Sequence, residues 1–259
     1  MNIIVCMKQV VENPKIELDP KAAWQARAEG KIIINPFDMY ALEEGIRLRE
    51  RYGGKVAAIC MGLPEADNAL REAYALGMDQ AILLSDPVFE GSDTLATAYV
   101  LSRAIGKLDL PDLIVCGRQA MDGDTGQVGP QLAEILGMPL VSFVSSIQAA
   151  EDGVMTAQRL VDSGHQVVQT QLPAVITVVK EINEPRLPSL RGLMQAKKAQ
   201  IPVWGASDLE VDPARVGLQG SPTRVASAGF PERPAEGRIL EGSLESQAEQ
   251  VADILREAS

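Results

Sequence analysis

The sequence of 259 residues predicts an α/β fold with a parallel, doubly wound sheet. Four short apolar runs are each followed by a loop and then by a helical pattern, and strands that alternate with helices in this way form right-handed βαβ units. The runs are rich in β-branched residues and lack polar alternation, which is typical of strands covered on both faces. These predicted strands span residues 3–7, 56–61, 81–84 and 113–116.

The first strand leads into a β excursion that delivers the chain to the first long helix. The excursion contains two short strand patterns, at residues 16–18 and 31–34. Helical patterns then follow the excursion and the next two strands. These predicted helices span residues 39–51, 65–76 and 92–105.

Two polar residues stand at the start of the first helix. Asn35 precedes a proline, so its backbone is held extended, and its side chain is either a turn former or a ligand contact. Asp38 is expected to cap the helix, whose end is marked by Gly53 and Gly54.

Residues 117–130 (Gly-Arg-Gln-Ala-Met-Asp-Gly-Asp-Thr-Gly-Gln-Val-Gly-Pro) join the fourth strand to a helix. We call residues 117–129 the Gly-rich loop. Pro130 indicates the first turn of that helix, since proline is tolerated there, and Gly137 marks its end. Free backbone N–H groups beside a helix N-terminus bind anions, and glycine lets the backbone approach a phosphate. The loop matches neither G-x-G-x-x-G nor a P-loop, so it is either a cradle for a nucleotide phosphate or a βα turn without a ligand.

Several side chains lie at the predicted carboxyl edge of the sheet, where such sheets bind ligands. Asp122 and Asp124 would repel a phosphate, so they cap amides, bind ribose hydroxyls or face away. Cys6, Cys60 and Cys116 each fall at the end of a predicted strand. They are either small buried hydrophobes or the floor of a ligand crevice.

Composition and charge exclude several classes of function. A net charge of −11 without a basic stripe argues against nucleic-acid binding. No apolar run approaches the roughly 18 residues of a membrane-spanning helix, and the first strand lacks the basic flank of a signal peptide. The three cysteines show no C-x-x-C spacing and fit a reducing compartment, so we expect a cytoplasmic protein without direct membrane insertion. His165, the single histidine, lies in a predicted hairpin turn, so no Ser-His-Asp or Cys-His arrangement can be assembled. We therefore expect no catalytic residues, and a bound nucleotide would be a cofactor or a structural ligand and not a substrate for hydrolysis.

Beyond residue 139 the strand patterns lack full helices between them, so we expect antiparallel additions to the sheet. These patterns span residues 141–147, 154–161, 166–170 and 175–179. Pro185 and Pro188 then prevent regular structure until Ser189, an expected N-cap for a short helix ending at Lys198. Four side chains here are unusually apolar and either pack down or anchor another protein. They are Leu187, Leu190, Leu193 and Met194.

The composition turns polar and rich in Gly, Pro and Ser after residue 207. We therefore expect an α/β nucleotide-binding domain over residues 1–207 and a C-terminal arm over residues 208–259. The arm should lack a core of its own and should need a partner surface. An amphipathic helix is predicted at about residues 244–258 from its apolar positions. These are Leu244, Ala248, Val251 and Leu255.

Several stretches are specific in their shared order and spacing. They are residues 5–10 (Val-Cys-Met-Lys-Gln-Val), 35–38 (Asn-Pro-Phe-Asp), 41–44 (Ala-Leu-Glu-Glu), 75–79 (Ala-Leu-Gly-Met-Asp), 117–129, 158–178 and 184–198. Together they resemble the β subunit of electron-transfer flavoproteins, over nearly the whole chain.

The resemblance implies a sheet of the adenine-nucleotide-binding type in a heterodimer with an α subunit. The heterodimer would pass electrons from a dehydrogenase, such as an acyl-CoA dehydrogenase, through FAD to an acceptor, and the arm would pack on the α subunit. It also implies a recognition loop at residues 185–198 for the dehydrogenase, with Leu190 as the anchoring leucine. The implied partner-recognition residues are Arg186, Leu187, Leu190, Leu193 and Met194. The implied cofactor-binding residues are Cys6, Asn35, Asp38, Met61, Gly117, Arg118, Gln119, Ala120, Met121, Asp122, Gly123, Asp124, Thr125, Gly126, Gln127 and Val128.

The phosphate loop departs from the AMP-binding members, which have Asn-Gln-Thr-Gly where this chain has Asp-Gly-Asp-Thr-Gly-Gln-Val-Gly at 122–129. That form looks like the β subunits of electron-bifurcating flavoproteins, in which the pocket holds the ADP part of a second FAD and NADH is oxidised. The resemblance therefore favours FAD, with AMP as the other occupant. The alternative is a stand-alone ATP- or AMP-binding protein of the same α/β superfamily. The Ser-Gly-Gly phosphate loop of the pyrophosphatases among them is absent, since residues 6–9 are Cys-Met-Lys-Gln.

Overall fold

The structure is a computed structural model that describes residues 1–16, 28–226, 237 and 239–257. The chain divides into two compact units, residues 1–226 and residues 227–259. The described strands are β1 Asn2–Met7, β2 Gln9–Ile16, β3 Ala28–Ile34, β4 Lys55–Met61, β5 Gln80–Leu84, β6 Leu113–Gly117, β7 Leu140–Glu151, β8 Val154–Val161, β9 Gly164–Gln171, β10 Ala174–Val178 and β11 Val203–Trp204. The described helices, apart from short 3-10 turns, are α1 Pro36–Tyr52, α2 Asp67–Leu76, α3 Thr94–Gly106, α4 Val128–Leu136, α5 Leu190–Ala196, α6 Ala206–Leu209, α7 Gly217–Gly220 and α8 Leu244–Glu257.

The first unit is built on a nine-stranded sheet with the order β11-β5-β4-β1-β6-β10-β7-β8-β9. The strands from β11 to β7 run parallel to their neighbours, and β7, β8 and β9 pair antiparallel. The predicted α/β fold with a parallel sheet is confirmed. The expectation of antiparallel additions holds for the β7–β8 and β8–β9 pairs. It was wrong for β10, which inserts between β6 and β7 and runs parallel to both, so that β7 joins the sheet in parallel.

Alternate residues of the central strands build a core on each face of the sheet. On one face, Ile3 and Val5 of β1 pack with Leu42 of α1 and with residues of α2. On the other face, Ile4 of β1 packs with Leu132 of α4 and with residues of α3. Helices thus cover both faces, which explains why the central strands read as continuous apolar runs.

The β excursion forms a two-stranded antiparallel ribbon of β2 and β3. Strand β3 contains the predicted strand 31–34, and Ile16 ends β2. The rest of the predicted strand 16–18 lies outside the described residues.

The boundary predicted after residue 207 falls inside the first unit, which extends to Ala226. Leu209 and Val216 are 2% and 3% exposed and belong to the core beneath α3 and α4, so this polar stretch is part of the α/β unit. In the second unit, α8 corresponds to the predicted amphipathic helix up to Glu257, and residues 258–259 lie outside the described part. None of the described helices combines the length and the hydrophobicity that a membrane-spanning helix needs.

Candidate functional site

The candidate site lies at the carboxyl edge of the sheet between β1 and β6. After β1 the chain first adds β4 and β5 on one side of this strand and then crosses to add β6 on the other side. The gap between β1 and β6 is therefore a topological switch point. Parallel sheets bind ligands in the crevice that opens at such a point. The ends of β1, β4 and β6 and the start of α1 bring Cys6, Met61, Gly117 and Asn35 to this edge.

Asn35 fixes the first part of the Gly-rich loop. It is the N-cap residue of α1, yet its side chain makes no capping hydrogen bond, and it is only 1% exposed. Its Nδ2 donates to the carbonyl oxygen of Gln119 at 2.8 Å, and its Oδ1 accepts from the backbone N–H of Met121 at 3.1 Å. Both polar atoms of this side chain therefore orient the loop.

Asp38 is not the helix cap that the sequence predicts. It is the third residue of α1, and its carboxylate accepts from the backbone N–H of Lys8 at 2.7 Å and of Gly117 at 3.2 Å. The side chain thereby ties the ends of β1 and β6 to α1. Burial raises the pKa of Asp38 to about 7, because the loss of hydration outweighs the two backbone hydrogen bonds that favour the carboxylate.

The raised pKa of Asp38 predicts a pH-dependent component of stability. The folded state binds this proton more tightly than the unfolded state, so its contribution is fully present below about pH 4 and is lost as the pH rises towards 7. Asp38→Asn should remove a component of up to about 4 kcal/mol over that window. Urea denaturation of wild type and variant at pH 4, 5, 6 and 7 checks this. Parallel curves of unfolding free energy against pH would show that Asp38 does not titrate in this range.

The second half of the Gly-rich loop, residues 126–129, presents backbone N–H groups at the start of α4, and we call it the cradle. Gly126 has φ +63°, a left-handed conformation that favours glycine, and α4 begins two residues later at Val128. Within the described part of the chain, no protein group accepts a hydrogen bond from the backbone N–H of Gly126, Gln127, Val128 or Gly129. Successive free N–H groups at the positive end of a helix attract an anion such as a phosphate.

The two carboxylates of the loop have partners within the protein. Asp122 Oδ2 lies 2.6 Å from Lys8 Nζ, and Asp124 accepts from the side-chain amide of Gln119. The ion pair is nearly half exposed and contributes only about 0–1 kcal/mol to stability. It nevertheless partly compensates the negative charge beside the cradle. Lys8 was missed by sequence reasoning, although its position directly after β1 was a usable signal.

Neighbouring elements support the rest of the loop. Thr94 at the start of α3 donates its hydroxyl to Gln127 Oε1 at 2.9 Å. The Arg118 guanidinium lies 5.1 Å from the ring centroid of Phe143, a cation–π contact. Thr94 and Phe143 come from distant parts of the sequence and were not predicted. Ala120, Gly123 and Thr125, which the resemblance also implies as cofactor-binding residues, lie in the same loop.

The three cysteines are buried and unpaired, as expected of small hydrophobic residues. Cys6 and Cys116 face the core beneath α3 and α4, and Cys60 faces the opposite core. Burial raises the pKa of Cys60 to about 12, so its thiol is not a nucleophile near neutral pH. His165 lies in β9, the edge strand farthest from β1 on that side, where its Nδ1 is 3.1 Å from Gln158 Nε2. Among the described residues, no group of acidic, histidine and cysteine side chains could hold a metal ion.

A second candidate surface is α5 with the residues before it, inside the recognition loop (residues 185–198). Ser189 caps α5 as predicted, since its Oγ accepts from the N–H of Gly192 at 3.0 Å. The four apolar side chains are exposed, with Leu187 at 89% and Leu190 at 77%, which favours the anchor interpretation. Arg186 is different, because its guanidinium donates to the carboxylates of Glu43 and Glu50 on α1.

The sheet and its flanking helices define an α/β domain whose Gly-rich loop lies at a topological switch point. Residues 24–209 match the family model described as the electron transfer flavoprotein domain. The chain is 43% identical over 256 residues to the electron transfer flavoprotein subunit beta of Thermoanaerobacterium thermosaccharolyticum, covering 98% of each chain. It is 40% identical over 257 residues to the subunit beta of Clostridium acetobutylicum, covering 99% of this chain and 98% of the relative. It is also 40% identical over 244 residues to the caffeyl-CoA reductase-Etf complex subunit CarD of Acetobacterium woodii, covering 94% and 93%.

The chain belongs to the electron transfer flavoprotein family and is a β subunit. Members of this family are flavoproteins, and their β subunits pair with an α subunit. The alternative of a stand-alone ATP- or AMP-binding protein is not favoured.

Proposed function

We propose that this β subunit holds an adenine nucleotide at the switch point between β1 and β6. The observation that supports this most strongly is the run of free N–H groups from Gly126 to Gly129 at the start of α4. The neighbouring carboxylates have their own partners, Lys8 and Gln119, which reduces their repulsion of a phosphate. The residues present therefore fit a nucleotide phosphate.

We propose FAD rather than AMP as the nucleotide. A pyrophosphate has more oxygens to satisfy than one phosphate, and the cradle offers four successive backbone donors. A bound flavin would accept an electron pair from NADH and pass the two electrons to two different acceptors. The protein would hold the flavin in place and set the electrostatics around it. The relative from Acetobacterium woodii is named as a subunit of a caffeyl-CoA reductase-Etf complex. This name supports the proposal that an electron-transfer flavoprotein of this type works together with a second redox protein.

The cofactor content of the heterodimer tests this proposal. The chain should be co-expressed with its α subunit, and the purified heterodimer denatured and its FAD and AMP separated by chromatography. We expect two FAD and no AMP per heterodimer. One FAD and one AMP would contradict the second flavin and would make the chain a subunit of a simple electron carrier. If the denatured heterodimer released neither FAD nor AMP, that result would contradict nucleotide binding at the Gly-rich loop.

We propose that the exposed leucines of the recognition loop dock on a dehydrogenase of the acyl-CoA dehydrogenase type, and that the second unit docks on the α subunit. Leu190→Ala should raise the KM for the heterodimer in dehydrogenase-driven reduction by at least about tenfold, since buried apolar anchors dominate binding energy. Cofactor content should not change. Leu110→Ala is the matched control, because Leu110 is also strongly exposed, at 72%, and lies after α3, away from α5. Equal KM values for the two variants would contradict the proposed anchor.

A further inference from the structure

Arg186 is fully engaged by acidic residues of α1. Its Nε and Nη2 donate to the two oxygens of Glu43 at 2.8 Å and 3.2 Å, and its Nη1 and Nη2 donate to those of Glu50 at 2.7 Å and 2.9 Å. The backbone N–H of Arg186 also donates to Glu43, at 3.1 Å. Every guanidinium nitrogen therefore has a carboxylate partner within the chain.

This cluster is well shielded on the Glu43 side. The Glu43 side chain is 3% exposed and also lies 2.5 Å from Arg47 Nε, whereas the Arg186 side chain is 33% exposed. Burial alone would raise the pKa of Glu43, but hydrogen bonds from Arg186 and Arg47 outweigh it and hold the pKa below its usual value. Glu43 is therefore ionised near neutral pH and bound to two arginines.

The cluster fixes a stretch of chain that has no regular structure of its own. Residues 183–188 lie between a short 3-10 turn and α5. Their attachments to α1 are side-chain hydrogen bonds, which include Asn183 Nδ2 to the carbonyl of Tyr40 at 3.0 Å and Arg47 Nη2 to the carbonyl of Glu184 at 3.1 Å. Asn183 and Glu184 keep these bonds when the Arg186 side chain is removed. Among the described residues, residues 185–188 then keep one hydrogen bond to α1, from the backbone N–H of residue 186 to Glu43.

The other end of α5 is held separately by α2. A Cβ on Gly192 would collide with the carbonyl oxygen of Ala75, so α5 packs closely on α2 at this point. Arg71 Nη1 of α2 donates to the carbonyl of Ala196 at 2.9 Å. Loss of Arg186 should therefore release the start of the recognition loop and leave the end of α5 in place.

We propose that Arg186 is a positioning residue for partner recognition and not a contact to the partner. It holds residues 185–189 on α1, so that Leu187 and Leu190 have their docking conformation before the partner arrives. A loop ordered in advance binds more tightly, because the cost of ordering it is not incurred on association. This inference rests on the proposed docking of the recognition loop on a dehydrogenase.

The test measures KM and kcat for the purified heterodimer as electron acceptor from the acyl-CoA dehydrogenase of the same organism. Arg186→Ala should raise KM by about tenfold without changing kcat or cofactor content. Glu50→Gln should raise KM in the same direction, by a smaller factor, because it weakens the attachment of Arg186. Arg103→Ala removes an arginine paired with Glu210, away from α5, and should leave KM unchanged.

Two variants distinguish positioning from direct contact. If Arg186 touched the partner, Glu50→Gln would free its guanidinium, and an unchanged or lower KM would overturn the inference. In the double variant Arg186→Ala with Leu190→Ala, positioning predicts a KM increase smaller than the product of the two single increases, since a displaced Leu190 has already lost its contact. A full product would also overturn the inference.

Hydrogen exchange separates failure of this inference from failure of the proposed docking. In the heterodimer, Arg186→Ala should speed exchange of the backbone amide of residue 186, which donates to Glu43, several-fold and leave the amides at the end of α5 unchanged. Unchanged exchange at all of these amides would overturn the positioning role, whatever values of KM and kcat are measured. A Leu190→Ala heterodimer with wild-type KM would instead contradict the docking surface.

Discussion

Gly126→Val is expected to lower the adenine-nucleotide content of the heterodimer. Gly126 has φ +63°, which a β-branched residue adopts only with strain, and a Cβ there would lie 3.3 Å from the carbonyl oxygen of Arg118. The substitution would reorient the free N–H groups at the start of α4. A hydrogen bond to a charged group contributes about 1.5–3 kcal/mol, so loss of one or two should lower affinity at least about tenfold. The measurement is nucleotide released per denatured heterodimer.

Gly137→Val is the matched control for backbone strain. Gly137 has φ +64° at the other end of α4, and nothing lies within 4 Å of a Cβ built there. This variant carries a similar conformational cost without touching the cradle, so it should keep its nucleotide. If both variants keep a full complement, the phosphate is not bound at Gly126. If both lose it, general destabilisation of α4 explains the loss.

Gly117→Ala is expected to destabilise the unit that contains the site. A Cβ at Gly117 would collide with Asp38 Oδ1 and would lie 2.7 Å from the carbonyl carbon of Phe37. The end of β6 would have to move away from the start of α1, which breaks the hydrogen bond from Gly117 to Asp38. Overpacking of this kind costs about 3 kcal/mol, which should lower Tm by roughly 10 °C in a chain of this size.

Thermal unfolding of the heterodimer measures this effect, with Gly106→Ala as the control. Gly106 ends α3, and a Cβ built there meets nothing within 4 Å. That variant should unfold within about 0.5 kcal/mol of wild type. A Gly117→Ala heterodimer with the same Tm as the control would show that β6 and α1 are not closely packed at this point.

The parts of the site that depend on local sequence could be predicted. The strand before the Gly-rich loop follows from an apolar run, and Pro130 and Gly137 mark the two ends of α4 because their backbone chemistry restricts where they fit. The cap of α5 at Ser189 was predicted for the same reason. Such signals depend on residues only a few positions apart, so they can be recognised without knowledge of the tertiary structure.

The parts that depend on distant residues could not be predicted. Asp38 has the sequence signal of a helix cap. In the folded chain its carboxylate instead accepts hydrogen bonds from the backbone N–H groups of Lys8 and Gly117. No pattern in the neighbouring sequence indicates that β10 inserts between β6 and β7. Arg186 meets Glu43 across 143 positions of sequence, so its ion pairs were invisible and it was interpreted as a partner contact.

The most direct test of nucleotide binding by the Gly-rich loop is a crystal structure of the heterodimer with its cofactors. The decisive quantity is the distance from the nearest phosphate oxygen to the backbone nitrogens of residues 126–129. We expect at least two of these distances to be about 2.7–3.2 Å, the range of an N–H···O hydrogen bond. A nucleotide bound elsewhere, with these N–H groups facing only water, would contradict the proposed site.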